Sequence, residues 1–265
     1  MTLADFSLSG RTALVTGGGT GLGNEFATAL AEQGARLILV GRTAETLAAA
    51  VAALPGSGHS WVAGDLTGDA LYESLAPHVA AGIDILVNNA GGDPRKDNWL
   101  HQSPDDLRHT LDLNLVTPWR LAQLVAPGMC ERGWGRIVNI ASVYGVLAQN
   151  PDNGQPGLDA GAYTVAKHGL TGLTRFLAAR LGANGVTANT ISPGMFPSNQ
   201  DDPALADKPS KQLDPVLLER LQAGAAVKRT GRRGDLAGAI VFLASPSGSF
   251  VTGQNLVIDG GWSVW

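Results

Sequence analysis

The fold is decided by the segment Arg11-Thr-Ala-Leu-Val-Thr16-Gly17-Gly-Gly-Thr-Gly21-Leu-Gly23, which runs from an apolar stretch directly into a glycine-rich turn. Apolar side chains then recur at helical spacing up to residue 33, so the order is strand, glycine turn, helix. Backbone N–H groups at the start of such a helix hold a pyrophosphate, helped by the helix dipole. The spacing is Thr-Gly-x-x-x-Gly-x-Gly rather than Gly-x-Gly-x-x-Gly, and the alternative is a glycine-rich turn in any α/β domain. The flanking strand and helix favour nucleotide binding.

Six further apolar runs of strand length follow, separated by helical patterns. They cover residues 35–40, 60–64, 83–87, 136–140, 186–191 and a last run from residue 256. This alternation predicts parallel strands joined by right-handed crossovers. We therefore predict an α/β, doubly wound Rossmann fold with a seven-stranded parallel sheet, forming a single dinucleotide-binding domain over residues 1–265. The polar, proline-studded residues 196–213 are expected to form a substrate lid, and the alternative is a tolerated insertion.

Composition and charge exclude several classes of partner. The formal net charge is −4 and there is no basic stripe, which argues against nucleic acid. No apolar run approaches the roughly 20 residues of a membrane span, and no signal-peptide pattern opens the chain. The single cysteine, Cys130, cannot form an intrachain disulfide, and the five histidines lack metal-ligand spacing. We expect a cytoplasmic protein without a metal site, which argues against a zinc-dependent alcohol dehydrogenase.

Arg42 follows the second predicted strand, where NAD-binding units place an acid for the ribose 2′-hydroxyl. A guanidinium at this position suits a 2′-phosphate, so the sequence favours NADP(H) over NAD(H). The alternative is an ordinary surface arginine at a helix start.

Polar residues follow other strands at the edge where open α/β sheets bind ligands. Asp65 and Leu66 come after the third strand, and Asp65 suits either an adenine amino group or a helix cap. The turn Asn88-Asn89-Ala90-Gly91 follows the fourth strand. Asn114 lies among leucines in a predicted helix, so it is either a structural hydrogen bonder or part of a site.

Tyr163 and Lys167 stand four residues apart at the start of a long predicted helix, which places both side chains on one face. A neighbouring ammonium lowers the pKa of a phenol, so such a pair can exchange a proton near neutral pH. The alternative is a partly buried ring beside a solvated lysine.

Taken together, these motifs resemble those of the short-chain dehydrogenase/reductase family, in its short single-domain branch, over nearly the whole chain. The matching pieces are Thr16-Gly17 with Gly21 and Gly23, Asp65, Asn88-Asn89-Ala90-Gly91, Asn114, Ser142, Tyr163 with Lys167, and Pro193-Gly194. Within this family, the sequence most resembles gluconate 5-dehydrogenase-like and 3-oxoacyl reductase-like members.

The resemblance implies a role for each matching residue. Tyr163 would be the acid or base, and Ser142 would hydrogen-bond the substrate oxygen. Lys167 would bind the nicotinamide ribose and lower the pKa of Tyr163, while Asn114 would hold a water that links Lys167 to solvent. The residues implied in cofactor binding are Gly17, Thr20, Gly21, Leu22, Gly23, Arg42, Asp65, Leu66, Asn89, Ala90, Gly91, Tyr163, Lys167, Pro193, Gly194 and Ser198. Ser198 departs from the family, which often has threonine there.

The implied function is an NAD(P)-dependent oxidoreductase that interconverts a secondary alcohol and a ketone of a small molecule, such as a sugar acid, polyol or small ketone. One alternative is a non-catalytic NAD(P)-binding regulatory protein on the same fold, which would be expected to lose Tyr163 or Lys167. Another is a lyase or dehalogenase variant, which would lack the glycine motif or Lys167. Family members are commonly tetramers, so we expect a homotetramer with Trp262 and Trp265 at an interface.

Overall fold

A seven-stranded sheet forms the centre of the protein in the computed structural model, which describes residues 5–92, 98–148, 160–196 and 215–265. The strands are β1 (Thr12–Thr16), β2 (Arg36–Gly41), β3 (Ser60–Ala63), β4 (Ile85–Asn88), β5 (Gly135–Ile140), β6 (Val186–Pro193) and β7 (Asn255–Ile258). Their order is β3-β2-β1-β4-β5-β6-β7, and each neighbouring pair is parallel. The predicted doubly wound fold with seven parallel strands is confirmed.

Helices connect the strands as the alternating pattern predicts. They are α1 (Gly21–Glu32), α2 (Ala44–Ala53), α3 (Asp69–Ala81), α4 (Pro104–Leu111), α5 (Thr117–Glu131), α6 (Gly161–Leu181), α7 (Pro215–Gly224) and α8 (Ala237–Ala244). A π-helical segment, Asp112–Val116, joins α4 to α5. Of the expected lid at 196–213, only Phe196 lies within the described residues.

The apolar residues divide into two clusters, one on each face of the sheet. On one face, α1, α2 and α8 contribute residues such as Phe26, Leu47 and Ile240. On the other face, α3, α5 and α6 contribute residues such as Leu75 and Leu170. Because β1, β4, β5 and β6 are covered on both sides, these four strands are buried along their whole length.

The strand order reverses between β1 and β4, which opens a crevice at the carboxyl ends of these strands. Thr16 bridges the two sides of this crevice at its base. Its Oγ1 accepts from the N–H groups of Asn89 and Ala90, each at 3.0 Å. The Asn89 side-chain amide donates back to the Thr16 carbonyl at 2.9 Å. The loops after β1 and β4 are thereby held together. Within the described parts of the chain, no helix combines the length and apolar character needed to cross a membrane.

Candidate active site

A cleft of about 740 Å³ runs along the carboxyl edge of the sheet. It contains most of the residues singled out from the sequence. Those that line it are Gly17, Thr20, Leu22, Gly23, Arg42, Asp65, Leu66, Asn89, Ala90, Gly91, Ser142, Tyr163, Lys167, Pro193 and Gly194. Ser198 lies outside the described residues.

The glycine loop is shaped by a close approach of backbone to backbone. A Cβ on Gly23 would lie 2.1 Å from the Gly17 carbonyl oxygen, so a larger residue would force the loop and α1 apart. Gly17 and Gly21 adopt positive φ angles, 65° and 54°, which glycine adopts without strain. Gly21 thus shapes the loop and does not itself line the cleft. Thr20 precedes α1 without capping it by its side chain, and the first turn carries no acid. The helix start therefore offers N–H groups to an anion, and these residues fit a dinucleotide.

The end of the cleft below β2 and β3 is polar and carries opposite charges. Exposed Arg42 and Thr43 lie at the start of α2, across from Asp65. The Asp65 carboxylate accepts from the Thr67 N–H and hydroxyl, which lowers its pKa, with smaller contributions from Arg42 and His109. Gly68, not Asp65, is the N-cap of α3, so the alternative role of Asp65 as a helix cap is wrong. His109 of α4 also lines this end. The sequence held no signal for it, because an exposed histidine on a polar helix is common.

Asn114 is fully buried in the π-helical segment, just behind the cleft wall. Its Oδ1 accepts from the Gly92 N–H at 3.0 Å, and its Nδ2 donates to the carbonyls of Gly92 and Thr110. A Cβ on Gly91 would lie 2.6 Å from Asn114 Oδ1 and 3.1 Å from Lys167 Nζ. Asn114 therefore fixes the loop after β4 against the amine of Lys167, and it does not itself line the cleft.

Three polar side chains meet at the other end of the cleft, beyond β5. Ser142 follows β5, and its Oγ accepts from the Tyr144 N–H at 3.2 Å, which leaves the hydroxyl proton to be donated elsewhere. Tyr163 and Lys167 lie one turn apart on α6, and Lys167 Nζ is 5.3 Å from the centre of the Tyr163 ring. Tyr163 is half-buried, whereas Lys167 is only 3% exposed. The sequence placed Tyr163 and Lys167 correctly on one helical face.

Lys167 is an amine in an apolar environment. Its Nζ donates to the Ile140 carbonyl at 2.9 Å, which ties α6 to the end of β5. Burial lowers the pKa of Lys167 to about 7. The alternative of a solvated lysine is therefore wrong for Lys167, and the amine can change its charge near neutral pH.

The wall formed after β6 contains Phe196, the first residue of the expected lid. Pro193 and Gly194 lie beside Asp259, and a Cβ on Gly194 would come within 2.7 Å of the Asp259 Cα. Phe196 then extends from this turn into the cleft wall. Its ring packs over Gly231, where a Cβ would lie 2.3 Å away. Only the fold brings residues 196 and 231 together. No group of three or more potential metal ligands occurs among the described residues.

Doubly wound proteins with such a crevice at the strand-order reversal bind dinucleotides, and this is the class that the fold and cleft define. The family model described as enoyl-(acyl carrier protein) reductase matches residues 17–263. Gluconate 5-dehydrogenase of Gluconobacter oxydans is 37% identical, covering 98% of this chain and 97% of the relative. A 3-oxoacyl-[acyl-carrier-protein] reductase of Vibrio harveyi is 33% identical, covering 96% and 98%. The chain belongs to the short-chain dehydrogenase/reductase family of oxidoreductases, which confirms the resemblance.

A solved structure shows the same architecture throughout. Gluconate 5-dehydrogenase from Burkholderia cenocepacia J2315, in complex with NADP and tartrate, is 33% identical to this chain. It superposes with a TM-score of 0.83, and the match covers 98% of each chain.

The buried Lys167 amine predicts a specific dependence of stability on pH. The folded protein releases this proton near pH 7, whereas the unfolded chain keeps it up to its ordinary pKa of 10.5. Below pH 7 both states are protonated, so the contribution is constant there. Between about pH 7 and pH 10.5 the unfolded chain binds more protons than the folded protein, so this group makes the free energy of unfolding rise with pH over that range.

Lys167→Met removes the titrating amine and keeps an unbranched side chain. The free energy of unfolding of the wild type minus that of the variant is expected to rise by up to about 1.4 kcal/mol per pH unit above about pH 7, and to be flat below it. Urea unfolding of both proteins at a series of pH values measures this difference. A difference that does not change with pH would contradict the desolvated amine.

Proposed function

We propose that the protein is an NADP-preferring oxidoreductase that interconverts a secondary alcohol and a ketone, with Tyr163 as the acid or base. The observation that carries the proposal is the cleft itself. At one end, the cleft is lined by the glycine loop and Arg42, which can bind a dinucleotide. At the other end, it is lined by Ser142, Tyr163 and Lys167. A non-catalytic regulator would have no use for the second group.

Each residue at the catalytic end has a separate task in this proposal. NADP(H), when bound, supplies or accepts the hydride. Tyr163 donates a proton to the substrate oxygen during reduction and removes it during oxidation. Ser142 donates its hydroxyl proton to the same oxygen, because its Oγ already accepts from Tyr144. One N–H of Lys167 donates to the Ile140 carbonyl, so the charged amine has two further N–H groups that can donate to ribose hydroxyls.

The charge of Lys167 sets the acidity of Tyr163. When Lys167 is protonated, its ammonium favours the phenolate of Tyr163 and lowers the pKa of that side chain. Asn114 is proposed to hold a water between Lys167 and solvent. This role is supported by Thr110, whose buried Oγ1 has no hydrogen-bond partner among the described residues and whose carbonyl accepts from Asn114.

The preference for NADP(H) rests on the end of β2. Arg42 presents an exposed guanidinium to the cleft, and Thr43 stands beside it at the start of α2. A 2′-phosphate would meet both the guanidinium and the positive end of the helix dipole. The NADP in the Burkholderia relative supports the same choice.

The substrate class is proposed to be a sugar acid, a polyol or a small ketone. The similarity to two gluconate 5-dehydrogenases supports this class, as does the tartrate bound with NADP in one of them. Sugar acids and polyols carry hydroxyl groups next to the reacting carbon, and the polar catalytic end of the cleft can hydrogen-bond them.

Assembly and compartment complete the proposal. Trp262 packs within its own subunit, since its indole nitrogen lies 2.7 Å from the position of a Cβ on Gly224. Trp265 is 76% exposed, and β7 is an edge strand whose outer side lacks a partner strand among the described residues. We expect Trp265 and the outer side of β7 to be covered by other subunits in a homotetramer. The single cysteine, Cys130, suits a reducing cytoplasm.

Tyr163→Phe removes only the hydroxyl that exchanges the proton. Turnover with NADPH and a substrate ketone is expected to fall by at least about 10²-fold, while NADPH binding stays nearly unchanged. Steady-state kinetics and a fluorescence titration measure the two quantities. Tyr72→Phe is the matched control, because it loses a hydroxyl that is bonded to the Leu66 carbonyl and Tyr72 does not line the cleft. Turnover within about tenfold of the wild type would show that Tyr163 is not the acid or base.

Arg42→Ala removes the proposed 2′-phosphate ligand. The dissociation constant of NADPH is expected to rise on the order of tenfold to hundredfold, because a charge-assisted bond is lost, while that of NADH changes little. The control is Arg175→Ala, an exposed arginine of α6 that does not line the cleft. Equal losses for both cofactors would mean that Arg42 is only a surface residue.

Light scattering of the purified protein tests the assembly. We expect a mass of about four chains for the wild type, since apolar tail side chains such as Trp265 need cover. A monomeric mass would contradict the homotetramer and the interface role of the tail.

A further inference from the structure

A row of polar side chains crosses the apolar interior beneath the catalytic end of the cleft. Asn88 of β4 pairs in register with Asn139 of β5, which pairs in register with Thr190 of β6. All three are at most 2% exposed. Since residues paired in register point to the same face of a sheet, the three side chains lie side by side under α6.

Thr174 of α6 enters this row from the helix above it. Its Oγ1 accepts from Asn139 Nδ2 at 2.8 Å and from the Thr190 hydroxyl at 2.7 Å. It donates its own proton to the Leu170 carbonyl at 2.9 Å. A hydroxyl has one proton and two acceptor positions, so all three are used. Asn88 Nδ2 in turn donates to Asn139 Oδ1 at 2.8 Å, which extends the network to a third strand.

Thr174 shares a helical face with Tyr163 and Lys167. At about 100° per residue, the seven residues from Lys167 and the eleven from Tyr163 each return to within about 20° of the same direction. The three side chains therefore form one stripe along α6, about 16 Å long. A rotation or a slide of the helix at Thr174 would be carried along this stripe to the phenol and the amine.

On the strand side, the network also lies next to the site, through the residues that follow Asn139 in β5. Asn139 precedes Ile140, whose carbonyl accepts from Lys167, and Ser142 follows two residues later. The network thus joins the strand that carries Ser142 to the helix that carries Tyr163 and Lys167.

We propose that Asn139, Thr174 and Thr190 are positioning residues that set the register of α6 on the sheet and thereby the distance between Tyr163, Lys167 and Ser142. None of the three lines the cleft. Apart from the Lys167 bond to the Ile140 carbonyl, the remaining contacts of α6 with the sheet are largely apolar, made by residues such as Leu170, Leu173 and Leu177. Apolar contacts are non-directional, so they hold the helix on the sheet without choosing one register, whereas a fully satisfied hydroxyl has only one good position.

The proposal rests on the proposed oxidoreductase function and is tested by removing the Thr174 hydroxyl. Thr174→Val keeps the shape of the side chain but leaves Asn139 and Thr190 without their acceptor. We expect kcat to fall on the order of tenfold to hundredfold, because small displacements of catalytic groups have large effects. The dissociation constant of NADPH is expected to stay within about twofold, because the glycine loop and Arg42 are untouched. Thr174→Ser, which keeps the hydroxyl, is expected to restore kcat.

Thr171→Val is the matched control. Thr171 is a buried threonine on the same helix, but its hydroxyl donates only to the His168 carbonyl of α6 itself. It should leave kcat near the wild-type value. If Thr174→Val matches Thr171→Val in kcat, the network is merely structural and the proposal is overturned.

If Thr174→Val does not fold, Thr190→Val removes one of the two bonds that Thr174 accepts. A loss of kcat in that variant supports the proposal, and an unchanged kcat overturns it.

A titration of the tyrosines separates this proposal from the proposed function, since it needs no substrate. The chain has three tyrosines, and burial raises the pKa of both Tyr72 and Tyr144. The phenolate absorbance that is present in the wild type and missing in Tyr163→Phe therefore reports the titration of Tyr163. This titration is coupled to that of Lys167. In Thr174→Val this titration should differ from that of the wild type, because the phenol and the amine titrate as a coupled pair whose separation has changed, whereas Thr171→Val should match the wild type. An unchanged titration in Thr174→Val overturns the positioning role, even if the wild type reduces ketones. Ketones left unreduced by the wild type, with the titration shifted, would overturn the proposed function alone.

Discussion

The hydrogen bond from the buried Lys167 amine to the Ile140 carbonyl joins the helix that carries the proposed acid–base pair to the strand that leads to Ser142. An amine in this environment has a depressed pKa, so its burial costs stability whenever it is charged. The same desolvation brings its titration close to neutral pH, where a proton-transfer site must operate. The geometry of the proposed catalytic end of the cleft depends on this arrangement, because Tyr163 lies one turn before Lys167 and Asn114 holds the loop at Gly91 against the amine.

Two kinds of contact divide the work of building the cleft. Apolar clusters on both faces hold the helices against the sheet, whereas polar contacts fix how its loops meet. Thr16 joins the loops after β1 and β4, and Gly23 permits contact with the backbone of Gly17. Each of these contacts is directional or sterically exact, so each fixes a geometry that apolar burial alone would leave free.

The sequence predicted the strands, the doubly wound order and most cleft residues, because these depend on local periodicity and on short motifs. That Tyr163 and Lys167 share one helical face was predictable from their spacing. The place of His109 in the cleft was not predictable, because it lies on α4, whose position depends on tertiary packing. Phe196 was predicted only as the first residue of the lid. The two possible roles of Asp65 could be separated only by the position of Gly68 at the start of α3.

Equilibrium titration of the purified wild-type protein with NADPH and with NADH, followed by fluorescence, tests the central claim most directly. The account predicts saturable binding of NADPH that is clearly tighter than binding of NADH, because the glycine loop, the start of α1 and Arg42 form one continuous site. Binding of neither cofactor would contradict the account and would return the Tyr163–Lys167 pair to a structural role.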